Sequence, residues 1–414
     1  MRPSLRAAIV VVAACCPAIA QSEPPSPALD LRATLELVRQ QAPSLQAGRL
    51  RIDEAAGLLS EAELPFASDP RLDMSVGNRD PEDGSSNSHD WSFGISQRFE
   101  PSGARDARRD VARVDVDAAR SAAGEAELLA LARAAELYLR AVHAGARRAA
   151  FAEDGELARQ VLAAVRQRVQ AGGSSELDAH LAVLNAGRAA GDAAAAAGDE
   201  GRLLAELGTV LGVQAGERVS VTGPLAWPWP VDEDEALAAA ARRPGLRRLE
   251  AEAQRAEAEE RVAESAGRSD LDAHLDYGRD DRDRVLTLGI SIGLPLSGRG
   301  AGERAAAAAH ASRSRGELAA GLRAAENDVR AAVAVHAGLA AAAAEAGDVA
   351  QELDESTRLV VQRWQAGGLD LLDVLALRRE LLATRLAWLD RQLDLALAAL
   401  EVETLSGQLA EIAP

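Results

Sequence analysis

The chain has 414 residues, 48% of them hydrophobic but only 3% aromatic, and a formal charge of −18 at pH 7. That length serves two or three ordinary domains or one extended molecule, and an apolar fraction made mostly of alanine and leucine builds long helices more readily than a thick core. Every basic residue is arginine, and the acidic balance argues against a nucleic-acid partner, because phosphate binding wants a basic stripe; an acidic surface or a conduit that tolerates cations is compatible with it.

Residues 1–20 read as an export signal: Arg2 and Arg6, an apolar stretch from Ala7 to Ala14, then Ala18-Ile19-Ala20 as a small-residue cleavage site before Gln21. The apolar stretch is too short for a retained membrane helix. A second reading stands beside it. Val12-Ala13-Ala14-Cys15 resembles a bacterial lipobox, which would be cut before Cys15 and acylated there. Both cysteines, Cys15 and Cys16, lie in this segment, so disulfides and thiol catalysis are set aside.

Beyond the leader the chain is written twice. QAGG occurs at 170–173 and again at 365–368, 195 positions later. The same shift lays Phe93-Gly94-Ile95-Ser96 on Leu288-Gly289-Ile290-Ser291, Gly103 on Gly298, Asp178 on Asp373, and Leu211-Gly212 on Ser406-Gly407. The first repeat, 21–212, reads as a helix over 33–64, strands over 71–77 and 91–99, a helix over 104–171, a turn at 172–173 and a helix over 174–211. A proline-bearing linker covers 213–233. The second repeat, 234–407, repeats the order: a helix to 266, strands over 271–277 and 285–294, a helix over 299–366, a turn at 367–368 and a helix over 369–405, with 408–414 as a tail. Each long helix would run about 100 Å at 1.5 Å per residue, which exceeds a globular diameter and implies coiled-coil-like packing.

The strands alternate. Trp91, Phe93, Ile95 and Phe99 share one face, with Gln97 the exception, and Ser92, Gly94, Ser96 and Arg98 share the other. Leu286, Leu288, Ile290 and Ile292 alternate with Thr287, Gly289 and Ser291; the shorter strands follow suit, and Asp272, His274 and Asp276 fall on one side. A two-layer soluble sheet would alternate likewise. Transmembrane barrel strands need about 9–11 such residues, which the two longer strands supply. Four strands cannot close a barrel, and an open edge is not tolerated in lipid, so membrane strands here require several copies of the chain.

The signal segment, the duplicated halves with two strands and one giant helix each, and the glycine-centred hairpins together resemble the TolC-type outer membrane efflux factors. Gly94-Ile95-Ser96-Gln97-Arg98-Phe99 and Gly289-Ile290-Ser291-Ile292-Gly293-Leu294-Pro295-Leu296 look most like the CzcC-like branch associated with heavy-metal cation efflux. The resemblance implies a mainly helical homotrimer of a Gram-negative outer membrane. Twelve strands would form a lipid-facing β-barrel and long helices a tube into the periplasm. Its partners would be a periplasmic adaptor and an inner membrane pump of the RND type, with no cofactor. It also implies that Trp91, Phe93, Ile95, Phe99, Leu286, Leu288, Ile290 and Ile292 face lipid. The adaptor would dock on the tips at Arg168, Gly172, Gly173, Ser175 and Leu177, and at Arg363, Gly367, Gly368 and Leu372. Asp373, with Asp370 and Asp178, would ring the pore. Ala376 replaces a second family carboxylate one turn after Asp373. A plainer reading makes Asp178 and Asp373 first-turn acids favoured by the helix dipole.

Other motifs carry less. Gly289-Ile290-Ser291-Ile292-Gly293 fits a nucleophile elbow, which needs a strand-to-helix turn at its serine, and Ser291 reads as mid-strand. Gly298-Arg299-Gly300-Ala301-Gly302 lacks the full phosphate-loop fingerprint. The six histidines form no metal motif. The expectation is a passive conduit and not an enzyme. Channels for organic compounds or type I secretion, and a soluble periplasmic coiled-coil scaffold, are the alternatives.

Overall fold

The computed structural model describes residues 28–66, 68–79, 88–100, 103–214, 217–266, 270–281, 283–293, 300–347 and 349–412. The expected leader, Cys15, Leu294-Pro295-Leu296 and Gly298-Arg299 lie outside them. The first repeat comprises α1 (Leu31–Gln41), α2 (Pro43–Ala62), β1 (Arg71–Arg79), β2 (Ser88–Phe99), α3 (Ala104–Gln170) and α4 (Glu176–Leu211). The second comprises α5 (Glu233–Ala240), α6 (Pro244–Ala266), β3 (Leu271–Asp280), β4 (Asp283–Ile292), α7 (Ala301–Ala346), α8 (Val349–Gln365), α9 (Leu371–Ser406) and the short α10 (Leu409–Ile412).

Three helices expected to be continuous are divided, each at a residue that breaks the helical hydrogen-bond ladder. Pro43 and Pro244 open α2 and α6 as first-turn prolines, and Ala42 before Pro43 is extended, at φ −59° and ψ 124°. The second long helix parts at Gly347, whose φ of 62° and ψ of −153° suit only glycine. The matching position of the first repeat is Ala152, and α3 runs unbroken for 67 residues. Expected Gly103–Gly298 equivalence shifts as well. Gly103 and Gly300 are the left-handed N-caps of the two long helices.

α3 packs along α4, α2, α6 and α9, and α7 along α6 and α9. The main core lies where α1, α3, α4, α9 and α10 meet, around Leu35, Val38, Leu131, Leu137, Leu139, Leu207, Leu211 and Leu409. The linker is stitched onto this core: Leu29 and Val221 form a parallel bridge, and the Tyr138 hydroxyl donates to Thr222 O at 2.6 Å. Trp227 and Trp229, 5.0 Å apart and edge-on, pack on the same cluster.

The strands make one antiparallel sheet in the order β1-β2-β3-β4, so β1 and β4 are its edges. β3 and β4 extend past their expected ends because Arg279 pairs with Arg284 and Asp280 with Asp283. These polar residues read as loop by composition, yet they continue the ladder to a turn where Asp281 has φ 56°.

Candidate functional site

The register turns each strand's alternation into rows that cross the whole sheet. Leu72, Ile95, Leu275 and Leu288 stand in one row, and Met74, Phe93, Tyr277 and Leu286 in the next. Phe99, Leu271 and Ile292 continue the face towards the helices. Nothing among the described residues covers it: Val76 is 84% exposed and Leu288 76%, and Phe93, Ile95, Phe99, Leu286, Ile290 and Ile292 are all exposed. Trp91 alone of the expected lipid-facing set is half-buried, since it packs edge-on against Phe93 and Tyr277 at 5.4 and 5.9 Å. Aromatics therefore mark both ends of the face, with Trp91 and Tyr277 towards the strand hairpins and Phe99, stacked edge-on with Phe66 at 5.7 Å, towards the helices. Trp91 and Phe99 are separated by about 27 Å along the strand, the scale of an outer-membrane apolar band with its two girdles.

The opposite face is polar and crowded. Arg98 pairs with Asp272 at 3.1 Å, Ser96 Oγ donates to Asp73 Oδ2 at 3.3 Å, and Ser75 and Ser92 share a hydrogen bond of 2.8 Å. At the glycines of the two Gly-Ile-Ser stretches a side chain would have to displace the tip of its cross-strand neighbour. A Cβ on Gly94 would sit 2.1 Å from Asp276 Oδ1, and one on Gly289 2.1 Å from His274 Nε2. His274, Asp272 and Asp276 share this face, but no group of three or more metal-ligating side chains occurs among the described residues. Ser291, expected in mid-strand, is instead the second-last residue of β4, because the ladder ends at Ile292, and it is still paired opposite Asp272.

Both QAGG segments form the same turn. Gly172 and Gly367 have φ 74°, a left-handed helix C-cap that costs glycine nothing. Gly172 N–H donates to Val169 O and Gly173 N–H to Arg168 O; Gly367 and Gly368 repeat this onto Trp364 O and Arg363 O, all at 2.8–3.1 Å. Both returning helices are capped from their side chains. Ser175 and Asp178 form a reciprocal capping box, at 3.1 and 2.9 Å, and Asp370 accepts from Asp373 N–H at 2.8 Å. So Asp178 and Asp370 each hold a backbone amide, whereas the exposed Asp373 carboxylate has no ion pair among the described residues. Leu177 and Leu372 project from the tips, 65% and 63% exposed.

Two contacts at the tips have no local sequence signal. Arg168 donates to Trp364 O at 3.1 Å and lays its guanidinium over the Trp364 ring, 4.1 Å from the centroid. Trp364 is buried with Val161, Val165, Ala182, Leu371 and Val374, so the two tips are one packed unit. Further up, Arg378 of α9 is buried and pairs with Asp154 Oδ1 of α3 at 2.7 Å while donating to Asn185 Oδ1 of α4 at 2.8 Å.

Residues 34–213 match the family model described as outer membrane efflux protein. The chain is similar to the open-state MtrE outer membrane channel of Neisseria gonorrhoeae, with a TM-score of 0.77 at 19% identity over 93% of this chain and 90% of that one. It is also similar to the CmeC outer membrane channel of Campylobacter jejuni (0.76, 16%, 91% and 85%) and to CusC (0.74, 17%, 91% and 92%). The family match covers the first repeat only. No curated protein matches the sequence. At these identities the solved structures speak for the fold, which in this chain comprises the helical hairpins and the strand belt together.

Proposed function

We propose that three copies of this chain form an outer membrane efflux channel, the passive conduit of a tripartite export system. The observation that carries it is the four-strand sheet with one continuous bare apolar face, aromatic at both ends, and two edges that no described residue pairs. An edge in lipid leaves backbone amides and carbonyls unsatisfied, so β4 of one copy pairs with β1 of the next and twelve strands close a barrel. The polar face then lines water, and the hairpins extend into the periplasm towards an adaptor and an inner membrane pump.

The tips receive the adaptor through the glycine turns and the projecting Leu177 and Leu372. Arg168 is already engaged inside the protomer. Asp373, without an ion pair among the described residues and in the first turn of α9, supplies the entrance carboxylates, three per channel. The cargo is heavy-metal cations. The chain's acidic balance, the Asp73, Asp272, Asp276 and His274 side chains of the polar strand face, and the resemblance to the CzcC-like branch support that reading. Purified protein should run as a heat-modifiable trimer that needs detergent; a detergent-independent monomer would end the channel reading. Deletion should lower zinc, cobalt or cadmium tolerance. Unchanged metal tolerance with a fall in drug tolerance would keep the channel and replace its cargo.

A further inference from the structure

We infer that Arg363 makes, across the subunit boundary, the contact that Arg168 makes within one chain, with Val169 O of the partner subunit as its acceptor. The inference rests on the trimer reading and on the internal repeat. The two tips have the same glycine φ and the same hydrogen bonds at the 195-residue offset. Arg168 belongs to the first tip and reaches the second, where it meets Trp364. Arg363 is the same residue of the second tip. It is exposed, and its guanidinium has no hydrogen bond or ion pair among the described residues.

In a closed ring of alternating first and second hairpins, a contact that points one way round at one junction points the same way round at the next. Arg363 must therefore face a first hairpin, and the first hairpin of its own chain lies on the other side, already bound through Arg168. The residue offered there is the repeat counterpart of Trp364, which is Val169. Its carbonyl accepts Gly172 N–H at 3.0 Å, as Trp364 O accepts Gly367 N–H at 3.1 Å, and each carbonyl oxygen has a second lone pair for an arginine. The two junctions differ in one respect. Trp364 gives Arg168 an aromatic face, and Val169 gives Arg363 none. The contacts within protomers are thus the stronger and those between protomers the weaker, so the ring of tips parts at subunit boundaries first.

The test uses the full-length protein in detergent with Cys16→Ser, which leaves no free native thiol whichever way the leader is processed. Arg363→Cys with Val169→Cys, treated with a short bis-maleimide, should give covalent dimers and trimers on a denaturing gel. Arg168→Cys with Trp364→Cys should give an internally bridged monomer. Trimers by sizing without covalent oligomers from the first pair would overturn the Arg363 assignment while leaving the channel intact. Oligomers from Arg363→Cys alone would overturn it too, because a like-to-like contact is a different one. A monomer by sizing removes both the assignment and the channel. For the guanidinium itself, Arg363→Gln should lower the temperature at which the trimer dissociates, while Arg358→Gln, also exposed on α8, should not. Equal temperatures for the two variants would count against the contact.

Discussion

Replacing Arg378 by methionine is the sharpest test of how the hairpins are held together. The Arg378 side chain is 4% exposed, and Asp154 beneath it 16%. Two guanidinium nitrogens reach Asp154 Oδ1, at 2.7 and 3.2 Å; Nη2 also donates to Asp154 O at 3.0 Å, and Nη1 to Asn185 Oδ1 at 2.8 Å. Methionine matches the stem but leaves the Asp154 carboxylate and the Asn185 amide oxygen without their donor. Breaking a buried pair on one side costs about 3–5 kcal/mol, chiefly through the stranded charge. At about 1.4 kcal/mol per decade, denaturant unfolding followed by far-UV circular dichroism should accelerate by about a hundredfold or more if the clasp forms late in folding. Arg378→Met with Asp154→Asn should recover most of the loss, since removing both charges of a buried pair is often nearly neutral. The two substitutions would then couple strongly in a double-mutant cycle. A single variant no worse than about 0.5 kcal/mol, the range of an ordinary surface change, would refute the reasoning. The clasp sits seven residues into α9, about 10 Å above its start. Its loss should therefore also loosen the turn that carries Asp373.

Glu403 predicts a pH dependence. It is 3% exposed, its Oε2 has no hydrogen-bond partner among the described residues, and burial, reinforced by Glu235, pushes its carboxyl from 4.5 up to about 7. Between pH 4.5 and 7 the unfolded chain loses a proton that the folded one keeps. Stability should therefore fall by up to about 3 kcal/mol per protomer across that window and level off above it. In Glu403→Gln this decline should be absent, so thermal midpoints of the two proteins should diverge from pH 5 to pH 8; a constant gap would refute the assignment. Leu288→Arg places a charge in the middle of the bare strand face and should cost about 2–4 kcal/mol in a bilayer, seen as lost heat-modifiable trimer. Normal assembly of that variant would argue that the face does not meet lipid. Gly367→Ala forces a side chain into the left-handed turn at φ 74° and should destabilise by about 1 kcal/mol, read as a lower thermal midpoint, with Gly172→Ala behaving alike; unaltered midpoints would show that the tips tolerate another turn.

Much of this molecule is written in local pattern. Alternation along Trp91–Phe99 and Leu286–Ile292 depends only on the period-two geometry of a strand, so their faces were readable before any fold was known. Repetition of QAGG exposed both tip turns, because a left-handed C-cap asks for glycine wherever it occurs. Ser175 and Asp370 were legible as candidate tip residues, but their work as caps shows only in the hydrogen bonds. The divided helices were legible in principle. Pro43, Pro244 and Gly347 each stand at a break, yet glycines inside α3, such as Gly124 and Gly145, break nothing. Whether a helix tolerates a glycine depends on what packs beside it.

Tertiary structure alone decided the rest. Arg168 meets Trp364 across 196 positions, and Arg378 meets Asp154 across 224. No periodicity links such residues, because their proximity follows from two long hairpins lying side by side. The same holds for Glu403, an ordinary acid on a helix until α5 brings Glu235 and an apolar wall against it. Local backbone preference sets turns, caps and strand faces one segment at a time. Which buried charge finds a partner is settled only when distant segments exclude water together.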